Sequence, residues 1–184
     1  MESTDDASRS LEQQKRFFIS YYLQPLNVTL WPFSQTTTPT LDVSSPPGKI
    51  DERVFIGGNY AIMPILRFIK AIVARENLQP ILAADFKIPR DKTNEYAHRL
   101  LLQCRRAVFE ITIDNGHLME IQSVMGTRHL AIQTLLVYMA EDETKDPPST
   151  MKTMIKTLDY PKQGYTSLTE LDSIISTFLQ TPLP

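Results

Sequence analysis

The chain has 184 residues, enough for one ordinary domain or one domain with an extension, and enough to bury a sizeable core. Its 19 Lys and Arg stand against 21 Asp and Glu, a formal net charge of -2 that excludes a protein held to nucleic acid by bulk charge. The single cysteine, Cys104, excludes an internal disulfide and a cysteine-cluster zinc site; the three histidines, His98, His117 and His129, form no HExxH pattern; and no apolar run nears the roughly 20 residues of a membrane span.

The acidic start, Met1-Glu2-Ser3-Thr4-Asp5-Asp6, has no apolar core behind it and is not a secretory signal. The expectation is a cytoplasmic protein with no membrane partner and no metal. Residues 1–50 read as an N-terminal extension. Within 9–23, Leu11, Phe18 and Tyr22 recur at helical spacing with Phe17 and Tyr21 beside them, and Pro25 ends the pattern. After Trp31-Pro32-Phe33, residues 34–49 are rich in Thr, Ser and Pro, the composition of a linker or of an arm that hugs a surface.

Residues 51–184 read as a single α/β domain. Val54-Phe55-Ile56 predicts a buried strand leaving into a Gly57-Gly58 turn. Ile62, Ile65, Leu66, Ile69, Ile72 and Val73 follow at helical spacing, and Pro64 places the helix start near Ile62. Residues 80–84 predict a second strand ending at Asp85-Phe86. Ala97, Leu100, Leu101 and Cys104 stripe the next helix, and residues 107–113 form a third strand. A helix over 116–125, with Leu118, Ile121 and Met125 inward, precedes a fourth strand at 134–139. A short helix at 151–158 leads to an edge strand at 164–167. Ser167-Leu168-Thr169-Glu170 is a capping box, and Leu171, Ile174, Ile175 and Phe178 give the last helix its apolar face. The alternation predicts an open, mainly parallel five-stranded sheet with helices on both faces, a flavodoxin-like fold.

In such a fold ligands bind at the carboxyl edge of the strands, so the turns on that edge are the candidate sites. Gly57 and Gly58 let a backbone turn sharply or approach a ligand, and Tyr60 offers a ring to stack on a base or sugar. Asp85 either accepts hydrogen bonds from ribose hydroxyls or is a solvated turn residue. The third turn is Asp114-Asn115-Gly116-His117-Leu118-Met119-Glu120. Glu120 lies off the apolar stripe, with His117 on the same side. A carboxylate at a helix start is favoured in its ionised form, and there it can attack or stabilise a sugar carbon as its bond to a base breaks. Asp114 and Asn115 also suit helix N-caps. A receiver domain needs an acidic pair where Asn59 and Tyr60 stand, and neither a P-loop nor GxGxxG is present.

The stretch from Phe55 to Tyr60 resembles the first strand motif of nucleoside 2-deoxyribosyltransferases, and the stretch from Asp114 to Glu120 is similar to that family's third-strand motif, where an aspartate precedes the catalytic glutamate by six positions. The related Toll/interleukin-1 receptor-like (TIR-like) domains carry a glutamate on the equivalent helix, and enzymatic members cleave the N-glycosidic bond of NAD. The resemblance, over roughly residues 53–180, implies Glu120 as nucleophile or oxocarbenium stabiliser and Asp114 as its catalytic partner at a sugar hydroxyl or base. Gly57, Gly58, Tyr60, Asp85, Asn115 and His117 would bind substrate. The loop with Lys87 and Arg90, and Lys92 after it, is basic, which suits a phosphate-bearing nucleotide. Glu120-Ile121-Gln122 stands where the transferases have Glu-[Ile/Leu]-Gly.

The leading expectation is therefore a hydrolase or cyclase that splits the ribose–base bond of NAD or a related nucleotide, with no further cofactor. TIR-like domains of this type often act in antiviral defence, which the resemblance allows. The alternatives are a nucleoside deoxyribosyltransferase and a non-catalytic nucleotide sensor that self-associates into a homo-oligomer, with the aromatic N-terminal helix as its partner surface.

Overall fold

A computed structural model describes residue 33 and residues 37–113, 121, 132–140 and 160–183. Five strands are formed: β1 (Arg53–Gly58), β2 (Gln79–Leu82), β3 (Arg106–Glu110), β4 (Gln133–Met139) and β5 (Lys162–Tyr165). They make one sheet in the order β2-β1-β3-β4-β5, with every neighbouring pair parallel. Parallel neighbours need crossover connections, and helices supply them on both faces. The described α-helices are α1 (Met63–Arg75), α2 (Thr93–Leu101) and α3 (Leu168–Gln180). This is the open, parallel α/β sheet of flavodoxin-like proteins.

The strands alternate between two apolar layers, as a period of two requires. Val54, Ile56, Val108, Leu135, Val137 and Tyr165 pack with α1 and α3. Phe55, Ile81, Ala107, Phe109, Leu136 and Tyr138 pack with α2 on the opposite face. All six apolar positions predicted for the first helix are buried, as are Ala97, Leu100, Leu101 and Cys104. On α3 the buried line is Leu168, Leu171, Ile175 and Leu179, and the predicted Ile174 and Phe178 flank it half-buried.

The ends of the predicted elements move by a few residues. The third strand stops at Glu110 rather than Ile113, and β2 gives way after Leu82 to a 3-10 turn, Ala83–Asp85. The capping box is also rearranged. Ser167 Oγ accepts from Glu170 N at 3.2 Å, but the Glu170 carboxylate receives Thr166 N, one residue earlier than a reciprocal box would have it. The predicted helices over 9–23, 116–125 and 151–158 lie outside the described residues, apart from Ile121, which is helical and buried.

Residues 37–49 are an arm held against the domain. Leu41 forms a parallel bridge with Phe86, Val43 is buried on the α2 face, and Gly48 lies against Gln79. The arm thus meets the chain at both ends of β2, at Gln79 and just past its carboxyl end at Phe86. Gly48 has φ +75, a left-handed conformation in which its missing Cβ also spares a clash with Gln79. Arg53, the first residue of β1, pins this end: its guanidinium donates to the carbonyls of Pro46 (2.6 Å), Pro47 (2.9 Å) and Gly48 (2.7 Å). Farther back, Phe33 meets Phe68 of α1 edge-on, with ring centroids 5.5 Å apart, and its carbonyl accepts from Arg67.

Replacing the guanidinium leaves three turn carbonyls without their charged donor. Arg53→Met is expected to lower unfolding free energy by about 2 kcal/mol. It should also expose residues 37–49 to limited proteolysis under native conditions. Urea titration and mapping of the first cleavage sites check both, and an arm cut no faster than in the parent chain would contradict the clamp.

Candidate functional site at the carboxyl edge

The order β2-β1-β3-β4-β5 reverses between β1 and β3, since the chain moves outward to β2 and then returns past β1. Ligands of doubly wound sheets bind in the crevice outside the strand ends at this point. The residues that border it are those leaving β1 and β3.

At the end of β1, the two glycines are strand residues and not the predicted turn. A Cβ on Gly57 would run into the ring of Phe109 on β3, and one on Gly58 would lie 2.7 Å from Leu66 Cδ2 and 3.0 Å from the Glu110 carbonyl oxygen. Close packing of β1 against β3 and α1 therefore requires both, whatever binds above them. The turn begins at Asn59, whose side chain accepts from Ala61 N at 2.9 Å and caps the short 3-10 helix Tyr60–Ile62. Tyr60 is 45 % exposed, one of two large hydrophobic residues in that state among the described residues.

Asp85 follows β2 and is engaged. Its carboxylate pairs with Lys70 of α1 at 2.7 Å, and its backbone carbonyl accepts from both Thr40 and Leu41 of the arm at 3.1 Å. The loop beyond it carries Lys87, while Arg90 and Lys92 belong to a 3-10 turn. Lys87 borders a cavity of about 620 Å³ between the arm and α2, lined also by Asp42, Ser44, Tyr96 and Arg99. Arg99 there is already paired with Glu95 at 2.6 Å and lies over the Tyr96 ring. This cavity is built by the β2 side of the domain, apart from the β3 exit.

At the end of β3 lies a group that sequence reasoning missed. Glu110 is fully buried, and its carboxylate accepts from Thr112 N (3.2 Å), from the Thr112 hydroxyl and from the Tyr165 hydroxyl (2.9 Å). Burial pushes the Glu110 carboxyl up to about 7, while the hydrogen bonds from Thr112 and Tyr165 pull the other way. Burial, then the charge of Glu110, holds the Tyr165 hydroxyl well above its usual range, so it stays a donor. A signal existed: Glu110 is the one charged residue in the apolar run Ala107-Val108-Phe109-Glu110-Ile111-Thr112-Ile113.

Asp114, Asn115, His117 and Glu120 lie outside the described residues. The structure describes the chain on either side of them. Ile113 is buried after β3, and Ile121, next after Glu120, is helical and buried in the α2-side layer. Cys104 offers no nucleophile, since burial raises its thiol to about 12 and it donates to the Leu100 carbonyl. Among the described residues no group of three His, Cys, Asp or Glu side chains could hold a metal, and no helix is long and apolar enough to cross a membrane.

Comparison of the chain with models of known families, with curated proteins and with solved structures finds no match.

The raised Glu110 carboxyl has a consequence for stability. Between the ordinary glutamate value of 4.5 and about 7, the folded state binds more protons than the unfolded state. Its contribution is therefore fully present below pH 4.5, declines as pH rises through 7 and is flat above. The fall is on the order of 3 kcal/mol. Glu110→Gln should remove this slope, so the stability difference between parent and variant should change by that amount between pH 4.5 and 8 in urea titrations. A constant difference would show that Glu110 does not titrate in this range.

Proposed function

We propose that this protein cleaves the N-glycosidic bond of NAD or a related nucleotide at the switch-point crevice, with Glu120 as the nucleophile or electrostatic stabiliser and Asp114 beside it. The observation that supports the reading most is topological. Tyr60, 45 % exposed, follows β1, and β3, its neighbour in the sheet, is followed in sequence by the stretch from Asp114 to Glu120. On this reading the stretch, from its place in the sequence after β3, is the one that borders the crevice where a doubly wound sheet takes its ligand.

In this reading Tyr60 stacks on the base or sugar, and Asn115 and His117 bind substrate from the β3 loop. Gly57 and Gly58 act by letting β1 close on β3. Asp85, committed to Lys70 and the arm, has no sugar contact assigned to it. As the ribose–base bond breaks, its electron pair leaves with the base, and positive charge grows on the sugar carbon. The Glu120 carboxylate offsets that charge or bonds to the carbon, and water or an internal hydroxyl then completes the transfer.

Incubation of the purified chain with NAD, and separately with 2′-deoxynucleosides plus a free base, followed by separation of products, tests the reading. Base release from NAD is the expected result. Glu120→Gln should lower it at least about a hundredfold with the melting temperature unchanged. Turnover that survives this substitution would sink the assignment of Glu120; base exchange would favour the transferase, and binding without turnover a sensor.

A further inference from the structure

We propose that Glu110, Thr112 and Tyr165 form a positioning triad that fixes the path by which the chain leaves β3 on its way to Asp114 and Glu120. The inference rests on the reading of that stretch as the catalytic one, and it concerns residues that do not themselves touch substrate.

The backbone ladder shows where control passes to side chains. Glu110 pairs with Val137, and Ile111 N donates to the Val137 carbonyl at 2.9 Å. In a parallel ladder the next donor, Met139 N, would point at the Ile111 carbonyl. It donates instead to the Thr112 hydroxyl at 2.7 Å. That hydroxyl spends its own hydrogen on Glu110 Oε1, while Thr112 N donates to Oε2. Both oxygens of one carboxylate therefore grip one residue, and that residue replaces a rung of the sheet. The chain can leave the sheet after Ile111 without orphaning the buried Met139 amide.

The third member comes from the far edge. Tyr165 is the last residue of β5, is fully buried, and donates to the same Oε1 at 2.9 Å, while its backbone carbonyl accepts from Ala140 N at 2.8 Å. One carboxylate thus links the carboxyl ends of β3, β4 and β5. Stability alone is a poor account of it, because well-packed apolar residues often serve a buried position as well as charged ones do. What the triad supplies is direction. Hydrogen bonds are directional, so they restrict the exit of β3 more than apolar packing alone would.

The test compares base release by the full chain and by Tyr165→Phe, Thr112→Val and Thr112→Ser. Tyr165→Phe and Thr112→Val should each lower kcat about tenfold or more, with KM within about threefold, since the exit of β3 is altered while the surface at Tyr60 is intact. Thr112→Ser keeps the hydroxyl and should restore kcat to about half the parent value or better. Parent-like kcat in both Tyr165→Phe and Thr112→Val, equal losses in the Val and Ser variants, or a change confined to KM overturns the triad and leaves the catalytic reading standing. If the parent chain releases no base, the catalytic reading fails, and amide hydrogen exchange decides the triad alone. Met139 N–H should then exchange about tenfold faster in Thr112→Val and Tyr165→Phe than in the parent, with Thr112→Ser close to it. Unchanged exchange in both would overturn the positioning role.

Discussion

The close approach of β1 and β3 governs the rest of this molecule. These two strands are central in a parallel sheet covered on both faces, so every side chain on them meets packed protein. Phe109 fills the α2-side layer at the level of Gly57, and Leu66 of α1 presses on Gly58 from the other side. The contact leaves space for no side chain at either glycine. The two strands stay paired up to their last residues, Gly58 and Glu110, which are register partners.

Burial at that contact explains why Glu110 is poised rather than simply ionised. Removed from water, the carboxylate loses hydration that three hydrogen bonds replace only in part, and its proton affinity rises. The same burial keeps the Tyr165 hydroxyl protonated, so it stays a donor to Glu110. A charge in this position constrains direction more than it adds stability.

The arm solves a separate difficulty of the same sheet. β2 is an edge strand of four residues, and an open edge invites pairing with other chains. The arm is anchored at both ends of it, with Val43 joining the α2-side layer, while Arg53 gathers the carbonyls of the Pro46-Pro47-Gly48 turn. The arm also occupies Asp85, whose position after a strand had suggested a sugar ligand. A residue type at the right edge of a fold is only a candidate until its own partners are known.

Periodicity in the sequence was enough to determine the layers: the stripe from Ile62 to Val73, the stripe from Ala97 to Cys104, the short apolar strands and the Ser167 cap all reflect local rules that act within one or two turns of chain. The edge on which ligands bind followed from the strand–helix alternation. The tertiary structure alone decided the strand order and hence the switch point, the use of Gly57 and Gly58 as contact residues, the commitment of Asp85 to Lys70 and the arm, and the burial of Glu110 beside Tyr165, 55 residues away in sequence. Each of those depends on which distant segments meet, and sequence spacing holds no record of the volume or the hydrogen-bond partners that a neighbour from another strand brings.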